Sequence, residues 1–434
     1  MFAWNKAIYH VLKLILLSPQ IYELERAFLL RSKQIETGVE MSRETGKIKV
    51  GISCGDLNGI GLEVAIKTFL DSRIFDLCTP ILYASKKVSA EYRKVLDIKD
   101  FSFEEIKSVE EANPKRANVL NIWDEDVELN LGTPTKASGE YALKSLQAAT
   151  ADLKEGKIDV LLTAPIDKHN IQWEEFKFPG HTEYLADAFG VEEYAMLMVS
   201  ENLKVTFMTG HLPLSEVGKH LSFESVIKKI RFLEKSLPQD FGIRQPKIAV
   251  LGLNPHNGDG GVIGTEELEI ISPAIKKAKE DGILVFGPFA ADGFFGSGAY
   301  NQFDIILAMY HDQGLIPFKT LNFDQGVNYT AGLPKVRVSP DHGTGFGIAG
   351  KGIASEQSFR DALFLGIDLV RERERYAEYT SDVLQPQKQS RPESERRGGG
   401  GRSDNRAPRR PRPEAAKPLE AKENTDTSDE KREG

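Results

Sequence analysis

The 434-residue sequence predicts an α/β fold in which helices cover both sides of a mainly parallel sheet. From Lys47 onward, short runs rich in β-branched residues alternate with amphipathic helical patterns. Several of these runs end directly in polar, titratable side chains, as strands of α/β enzymes do at their active sites. The length is sufficient for two domains, each with its own core.

The strand predictions rest on short apolar runs that are bounded by turn residues. They cover residues 48–53, 79–84, 119–122, 160–163, 194–199, 205–208, 248–253, 305–309 and a short segment around 336–338. One helix begins near Leu62, after the segment CGDLNGIG, and another begins at Ser138. The second has an apolar face at spacings of i, i+4, i+7 and i+11, formed by Ala142, Leu146, Ala149 and Leu153. A last helix carries Phe359, Leu363, Ile367 and Val370.

Composition and charge exclude several classes of protein. The chain is 40% hydrophobic and 28% charged with a net charge of −8, so no basic surface for nucleic acid is indicated. Two cysteines, Cys54 and Cys78, are too few for a disulfide framework. An apolar patch at residues 8–17 is interrupted by His10 and Lys13 and is too short to span a membrane. We therefore expect a cytoplasmic protein with neither nucleic-acid nor membrane partners.

The two ends of the chain differ in composition from the body. Residues 1–46 are interpreted as an N-terminal extension, and Met41 is a candidate for the true start of translation because it lies just before the first strand. The alternative is a native amphipathic appendage. Residues 385–434 contain no aromatic residue and are predicted to be disordered. A basic cluster there would suit an anionic partner, although a solubilising tail is the simpler interpretation: Arg406, Arg409, Arg410 and Arg412.

Three histidines, His211, His256 and His311, each follow a predicted strand by one to three residues. The carboxyl ends of parallel strands lie at one edge of a sheet, so the three imidazoles can converge there. Three imidazoles with open positions between them form a catalytic site for zinc or a similar divalent ion. The alternative is three separate loop or core histidines, since no local metal motif such as H-E-x-x-H is present.

Groups suited to anions and to proton transfer accompany these histidines. Lys319 and Arg337 are cations, and arginine favours bidentate capture of a carboxylate or phosphate. The glycine-rich segment 258–264 precedes a helix and would either present backbone N–H groups to an anion or form a tight turn. Asp292 and Asp312 are candidate acid/base carboxylates, with a salt bridge or a helix cap as the alternative role.

No standard nucleotide-binding motif is present. The glycines of CGDLNGIG follow a strand, but their G-x-x-x-G-x-G spacing is not the Rossmann pattern. A Walker A sequence is also missing, because G-K-[ST] does not occur. Any nucleotide must therefore bind by another route.

Nine sequence blocks between residues 47 and 375 occur in an order and at a spacing that match one known family. They are GDLNGIGLE, FPGHTE, GHLPL, GLNPHNGDGGVIGTEE, GPFAAD, MYHDQGLIPFK, GVNYTAGLP, VR and DHGTGFGIAGKG. On these blocks the chain resembles the 4-hydroxythreonine-4-phosphate dehydrogenases, which are NAD-dependent enzymes of pyridoxal 5′-phosphate biosynthesis. The resemblance implies the fold of the isocitrate and isopropylmalate dehydrogenases, which bind NAD without the Rossmann motif.

That fold consists of two α/β/α domains with the active site in the cleft between them. By this resemblance, residues 47–170 and 318–384 form the first domain. Residues 171–317 form the second, which carries the metal site and the dimer interface. The family is homodimeric with a shared active site, so His311 is expected to complete a site whose other two histidines belong to the partner chain.

The family's binding residues fall on matching residues of this chain. Its metal ligands correspond to His211, His256 and His311, and its substrate contacts to His181, Thr182, Lys319, Asn328 and Arg337. The block DHGTGFGIAGKG looks like the adenosine-binding loop of the superfamily, which assigns Asp341, His342, Gly343 and Thr344 to NAD. Asp292 or Asp312 is expected to act as the catalytic base.

The implied reaction is oxidation of 4-phosphooxy-L-threonine to 2-amino-3-oxo-4-phosphooxybutanoate, which decarboxylates to 3-amino-2-oxopropyl phosphate. It requires NAD and a divalent metal. Zinc suits three imidazoles best, and magnesium, manganese and cobalt are alternatives. Three other functions stay open: a related metal-dependent decarboxylating dehydrogenase for another hydroxy acid, a metal-dependent hydrolase, and a non-catalytic binding protein. The NAD block argues against the hydrolase, and the intact ligand set argues against the binding protein.

Overall fold

A single mixed sheet forms the centre of the computed structural model, which describes residues 46–171 and 176–381. Its twelve strands are β1 (Ile48–Ser53), β2 (Cys78–Ala84), β3 (Glu104–Ile106), β4 (Asn118–Asn121), β5 (Val160–Thr163), β6 (Ala195–Val199), β7 (Lys204–Thr209), β8 (Ile248–Leu251), β9 (Val285–Phe289), β10 (Ile305–Tyr310), β11 (Val327–Ala331) and β12 (Val336–Pro340). Across the sheet they follow the order β3-β4-β2-β1-β5-β12-β11-β6-β7-β10-β8-β9.

The helices that connect these strands begin and end at ordinary local signals. They are α1 (Gly61–Phe69), α2 (Ile74–Leu77), α3 (Lys86–Val95), α4 (Lys136–Glu155), α5 (Lys168–Ile171), α6 (His181–Phe189), α7 (Phe223–Phe241), α8 (Ser272–Glu280), α9 (Ala291–Gly296), α10 (His311–Leu321) and α11 (Gln357–Ser381). Helix α4, for example, starts with a reciprocal capping box between Thr135 and Ser138 and ends at the left-handed Gly156. None of the described helices is long and apolar enough to cross a membrane.

The direction of the strands reverses near the middle of the sheet. The antiparallel pairings β12–β11, β11–β6 and β6–β7 are adjacent, and the other described pairings are parallel. Strands β5 and β12 therefore run opposite to β7 and β10. The prediction of a mainly parallel sheet is confirmed, with this central reversal as an addition.

Apolar residues cover both faces of the sheet because successive strand residues point to opposite sides. In β10, Ile305, Leu307 and Met309 belong to the core on the side of α7, α8 and α11. Ile306 and Ala308 belong to the core on the other side, with α9 and α10. On that second face a separate cluster forms with α4 and α6. The prediction that helices cover both faces of the sheet is thus confirmed. The second face has two separate apolar cores.

Three strands and several helices, α10 among them, were not predicted individually from the sequence. Strand β3 has only three residues, and β9 contains Pro288, so neither has a strong strand pattern. Strand β11 lies directly after turn residues, and α10 contains Gly314 and Pro317, which are weak helix formers. The proposed start at Met41 and the tail 385–434 lie outside the described residues. The division into two domains stays a prediction.

A buried ion pair joins the C-terminal helix to the rest of the fold. Arg373 of α11 donates through Nε to Asp240 Oδ1 of α7 at 2.8 Å. Its Nη2 donates to the hydroxyl of Tyr329 in β11 at 2.9 Å, and its Nη1 donates to the carbonyl of Leu333 at 3.0 Å. One guanidinium thereby links α7, α11 and β11 on one face of the sheet.

Replacing Arg373 by Met should lower the free energy of unfolding by about 3–5 kcal/mol, because Asp240 would stay buried without its cation. Urea denaturation would measure this loss. Arg371→Met is the matched control, since Arg371 is 3.6 Å from Asp368 near the surface and such pairs contribute about 1 kcal/mol or less. An equal, small loss of unfolding free energy in both variants would contradict the role of Arg373 as the cation that the buried Asp240 requires.

Candidate active site

A cavity of about 240 Å³ opens over strands β11 and β12. Seven residues singled out from the sequence line it: His181, Thr182, His211, Asn328, Arg337, His342 and Gly343. Four of them are expected substrate contacts, one is an expected metal ligand, and two are assigned to NAD. The fold thus brings together groups from five separate sequence blocks.

Arg337 lies at the floor of the cavity with only 2% of its surface exposed. Its Nε and Nη2 donate to Thr163 Oγ1 at 3.1 and 2.7 Å, and its Nη1 donates to Thr330 Oγ1 at 3.2 Å. Within the described part of the chain, its hydrogen bonds go to these hydroxyl groups and to no carboxylate. Burial lowers its pKa to about 10, so the guanidinium stays cationic at neutral pH. A buried cation held only by hydroxyls is suited to an anionic ligand.

Helix α6 directs its N-terminus into the cavity. Gly180, His181 and Thr182 line the wall there, and the free N–H groups of a helix N-terminus attract anions. Among the described residues, the Nε2 atom of His181 and the Oδ1 atom of Asn328 are buried without a hydrogen-bond partner. Burial holds the pKa of His181 well below its usual value, so this imidazole is neutral. Both unpartnered atoms are therefore open to a polar ligand.

His211 and His311 lie side by side, with 5.6 Å between their ring centroids. They follow the neighbouring parallel strands β7 and β10, so both project from the same edge of the sheet. The Nδ1 atom of His311 is 2.6 Å from Asp312 Oδ1, and with Nδ1 as the donor, Nε2 keeps its lone pair for a metal. In residues 46–171 and 176–381, no three His, Cys, Asp or Glu side chains form a group that would hold a metal ion. One chain therefore brings two of the three expected ligands together.

His256 occupies a strained backbone turn after β8. Residues 256–260 all have positive φ, with His256 itself at 53°. L-residues disfavour this conformation, and a buried carboxylate holds it in place. Glu267 Oε1 accepts hydrogen bonds from the backbone N–H groups of Leu253 and Asn254, each at 2.7 Å. The glycine-rich segment therefore forms a tight turn, one of the two alternatives, and His256 is exposed on it.

The residues assigned to NAD lie against the glycine-rich segment that follows β1. The backbone N–H of Ile60 donates to the carbonyl of Thr344 at 2.8 Å. A Cβ atom at Gly59 would lie 2.6 Å from this carbonyl oxygen, so the close approach requires glycine. The Nε2 atom of His342 is buried without a hydrogen-bond partner among the described residues, and Gly343 is exposed. The assignment of residues 341–344 to NAD stays a prediction.

Seven expected site residues do not line the cavity: His256, Asp292, His311, Asp312, Lys319, Asp341 and Thr344. Lys319 in α10 forms an ion pair with Asp341, with 3.0 Å between Nζ and Oδ1. Burial raises the pKa of Asp341, and the neighbouring Lys319 opposes this effect. Asp312 is bound to His311, and Asp292 is exposed on α9. Their proposed roles as base or substrate contact stay predictions.

Two charged residues of the cavity wall, Lys168 and Glu183, were missed in the sequence. Lys168 follows β5 by five residues, and Glu183 ends the block FPGHTE. A titratable side chain shortly after a strand was the signal that selected the three histidines. The same signal would have selected Lys168.

The family comparison agrees with this geometry. The family model described as pyridoxal phosphate biosynthetic protein PdxA matches residues 76–366. The chain belongs to this family. The resemblance inferred from the nine sequence blocks is therefore confirmed.

Relatives in the family share most of the chain. A 4-hydroxythreonine-4-phosphate dehydrogenase of Bacteroides thetaiotaomicron is 50% identical over 333 residues, which are 76% of this chain and 91% of that protein. A relative in Oceanobacillus iheyensis with the provisional name D-threonate 4-phosphate dehydrogenase is 40% identical, over 74% of this chain and 97% of its own. The crystal structure of a 4-hydroxythreonine-4-phosphate dehydrogenase from Klebsiella pneumoniae has a TM-score of 0.65 at 32% identity and covers 76% of this chain and 99% of its own. The mixed α/β fold around a large sheet is thus common to the family.

The buried, neutral His181 should make stability depend on pH. Its folded pKa lies below the unfolded value of about 6.5, so the unfolded chain binds the proton more tightly. The contribution of the neutral His181 to the free energy of unfolding is complete above about pH 6.5 and is lost as the pH falls below that value. His181→Gln should therefore flatten the decrease in unfolding free energy between about pH 7 and pH 5, measured by urea denaturation in chelator. His220→Gln, which removes an exposed imidazole, is the control, and an unchanged slope in His181→Gln would contradict the prediction.

Proposed function

We propose that the protein catalyses NAD-dependent oxidation of 4-phosphooxy-L-threonine to 2-amino-3-oxo-4-phosphooxybutanoate, which decarboxylates to 3-amino-2-oxopropyl phosphate, in pyridoxal 5′-phosphate biosynthesis. The observation that carries this proposal is the buried guanidinium of Arg337, which has only hydroxyl partners among the described residues. A phosphorylated substrate would supply an anion in direct contact with this guanidinium. Membership of the PdxA family supports the dehydrogenase chemistry.

The phosphate of the substrate is placed at the floor of the cavity. Arg337 would hold two of its oxygens with the planar fork of its guanidinium. The N-terminus of α6 and the hydroxyl of Thr182 would donate to the remaining oxygen atoms. His181 and Asn328 offer one unpartnered polar atom each for the rest of the substrate. With the phosphate held there, the carbon chain extends toward the wall that contains His211.

The side chains around the reacting hydroxyl fit a divalent metal. Two imidazoles at 5.6 Å, one of them oriented by Asp312, form a donor set that suits zinc better than magnesium, with manganese and cobalt as alternatives. A divalent ion bound there supplies Lewis acidity at the hydroxyl, and NAD supplies the hydride acceptor. Asp292 and Asp312 are the proposed proton acceptors, and residues 341–344 are proposed to hold the NAD.

Exposed apolar side chains follow each of the three histidines in sequence. They are Leu212, Leu214, Val262, Ile263, Leu268 and Ile316. All six belong to residues 171–317, the proposed second domain, and exposure of this kind marks a protein interface. It supports a homodimer with a shared active site. The close pairing of His211 with His311 favours His256, rather than His311, as the ligand from the partner chain.

D-threonate 4-phosphate is the second candidate substrate. The relative in Oceanobacillus iheyensis carries its name, and this substrate has the same phosphate for Arg337. The two substrates differ at C2, where one has an ammonium group and the other a hydroxyl group. Comparing them in one assay would therefore separate the two functions.

Metal-loaded protein should reduce NAD when given 4-phosphooxy-L-threonine, and a chelator should stop the reaction. Arg337→Lys keeps the charge but loses the bidentate fork, so KM should rise by about tenfold or more. Arg231→Lys, at an exposed arginine, is the control. Absence of NAD reduction by fully metal-loaded wild type would reject the proposal, and preferred turnover of D-threonate 4-phosphate would favour the second candidate.

Mixing inactive variants would identify the histidine that crosses the dimer interface. Dimers of His211→Ala and of His256→Ala, when dissociated and reassociated together, should recover about a quarter of the wild-type activity, because half of the dimers are hybrids with one intact site. Mixed dimers of His211→Ala and His311→Ala should recover no activity, because both histidines of each site come from the same chain. Recovery by the second pair instead would assign His311 to the partner chain, and recovery by neither pair would contradict a shared site.

A further inference from the structure

Two permanent cations line the cavity in the part of the chain that the structure describes. Arg337 lies at the floor, and Lys168, which is exposed, lies at the rim. Lys168 is the first residue of α5, the short helix after β5. Both His181, an expected substrate contact, and His211, an expected metal ligand, line the same cavity as Lys168.

Lys168 is also available to a ligand. It forms no ion pair with a described residue, whereas Lys319 is held at 3.0 Å by Asp341 and does not line the cavity. Lys168 and Arg337 line one cavity, and an anion bound between two cations is attracted by both. A purely structural role would place the ammonium group against a carbonyl or a carboxylate of the fold.

The proposed substrate has one anionic group at each end. Its phosphate fits the floor, where Arg337, Thr182 and the N-terminus of α6 offer several donors. This leaves the carboxylate at the open side of a cavity whose wall also contains the carboxylate of Glu183. Without a second cation, these two carboxylates would repel each other.

We propose that Lys168 binds the carboxylate of the substrate while Arg337 binds its phosphate. The assignment rests on the proposed function, because it takes its two anions from that substrate. A lysine suits this position, since its flexible stem and point charge need no fixed geometry at an open rim. The decarboxylated product no longer carries this group. Lys168 would therefore favour binding of the substrate without slowing release of the product.

Two unreactive ligands distinguish binding of the carboxylate from binding of the phosphate. O-phospho-L-homoserine lacks the reacting hydroxyl but keeps both anions, and 3-aminopropyl phosphate is the same molecule without the carboxylate. Their dissociation constants would be measured by calorimetry on metal-loaded wild-type protein and on Lys168→Met, Lys168→Arg and Arg337→Lys. Lys276→Met, at an exposed lysine of α8, is the control.

Lys168→Met should raise the dissociation constant of phosphohomoserine by about tenfold, because this ligand loses a charged contact. The dissociation constant of 3-aminopropyl phosphate, which has no carboxylate, should change by less than about twofold. Lys168→Arg should restore most of the affinity for phosphohomoserine. Arg337→Lys should lower the affinity for both ligands. With the substrate itself, Lys168→Met should raise KM by about tenfold and change kcat less.

The remaining outcomes would overturn the inference. Equal losses for the two ligands, or no loss for either, would show that Lys168 does not bind the carboxylate. If wild type turns over 4-phosphooxy-L-threonine while Lys168→Met binds phosphohomoserine normally, only this assignment fails. If wild type binds phosphohomoserine through Lys168 but does not reduce NAD, the proposed function fails and the carboxylate site stands. Wild-type protein that binds neither ligand would overturn both.

Discussion

The buried positive charge of Arg337, which makes no direct contact with a carboxylate among the described residues, is the constraint on which the candidate site depends. Transfer of a guanidinium from water to a protein interior has an effective penalty of several kcal/mol, and the hydroxyls of Thr163 and Thr330 offset only part of it. Three adjacent strands, β5, β12 and β11, carry Arg337 and its partners, so the packed sheet holds the charge in place. A cavity with this floor favours anions, because an anion bound there would contact the guanidinium directly.

Residues from distant blocks meet at this cavity although the strands that precede them run in opposite directions. Strands β5 and β12 run toward Lys168 and His342, whereas β7 and β10 run the opposite way toward His211 and His311. The cavity lies over β11 and β12, where the direction changes, and the two cores on that face lie with different helices. Polar side chains can point from the sheet there without meeting an apolar layer.

Local patterns in the sequence predicted most of the scaffold but less of the site. The apolar period of α4 and the apolar runs of β1 and β5 were sufficient to predict these elements. In each of them, tertiary packing favours the same secondary structure as the local sequence. Strand β11 was missed because its partners β6 and β12 are what make it a strand. The ion pair of Lys319 with Asp341 was also missed, since nothing local indicates which distant carboxylate a lysine will meet.

The amino-acid sequence was enough to assign the family and the alternation of strands and helices, and to propose which residues bind metal, phosphate and dinucleotide. These depend on residue types and spacings, which are local properties. Burial of Arg337, the pairing of His211 with His311, the strained turn at His256 and the place of Lys168 in the cavity wall were decided only in the folded chain. Each depends on contacts between segments far apart in sequence, and desolvation, which changes the chemistry of these groups, exists only where such segments pack together.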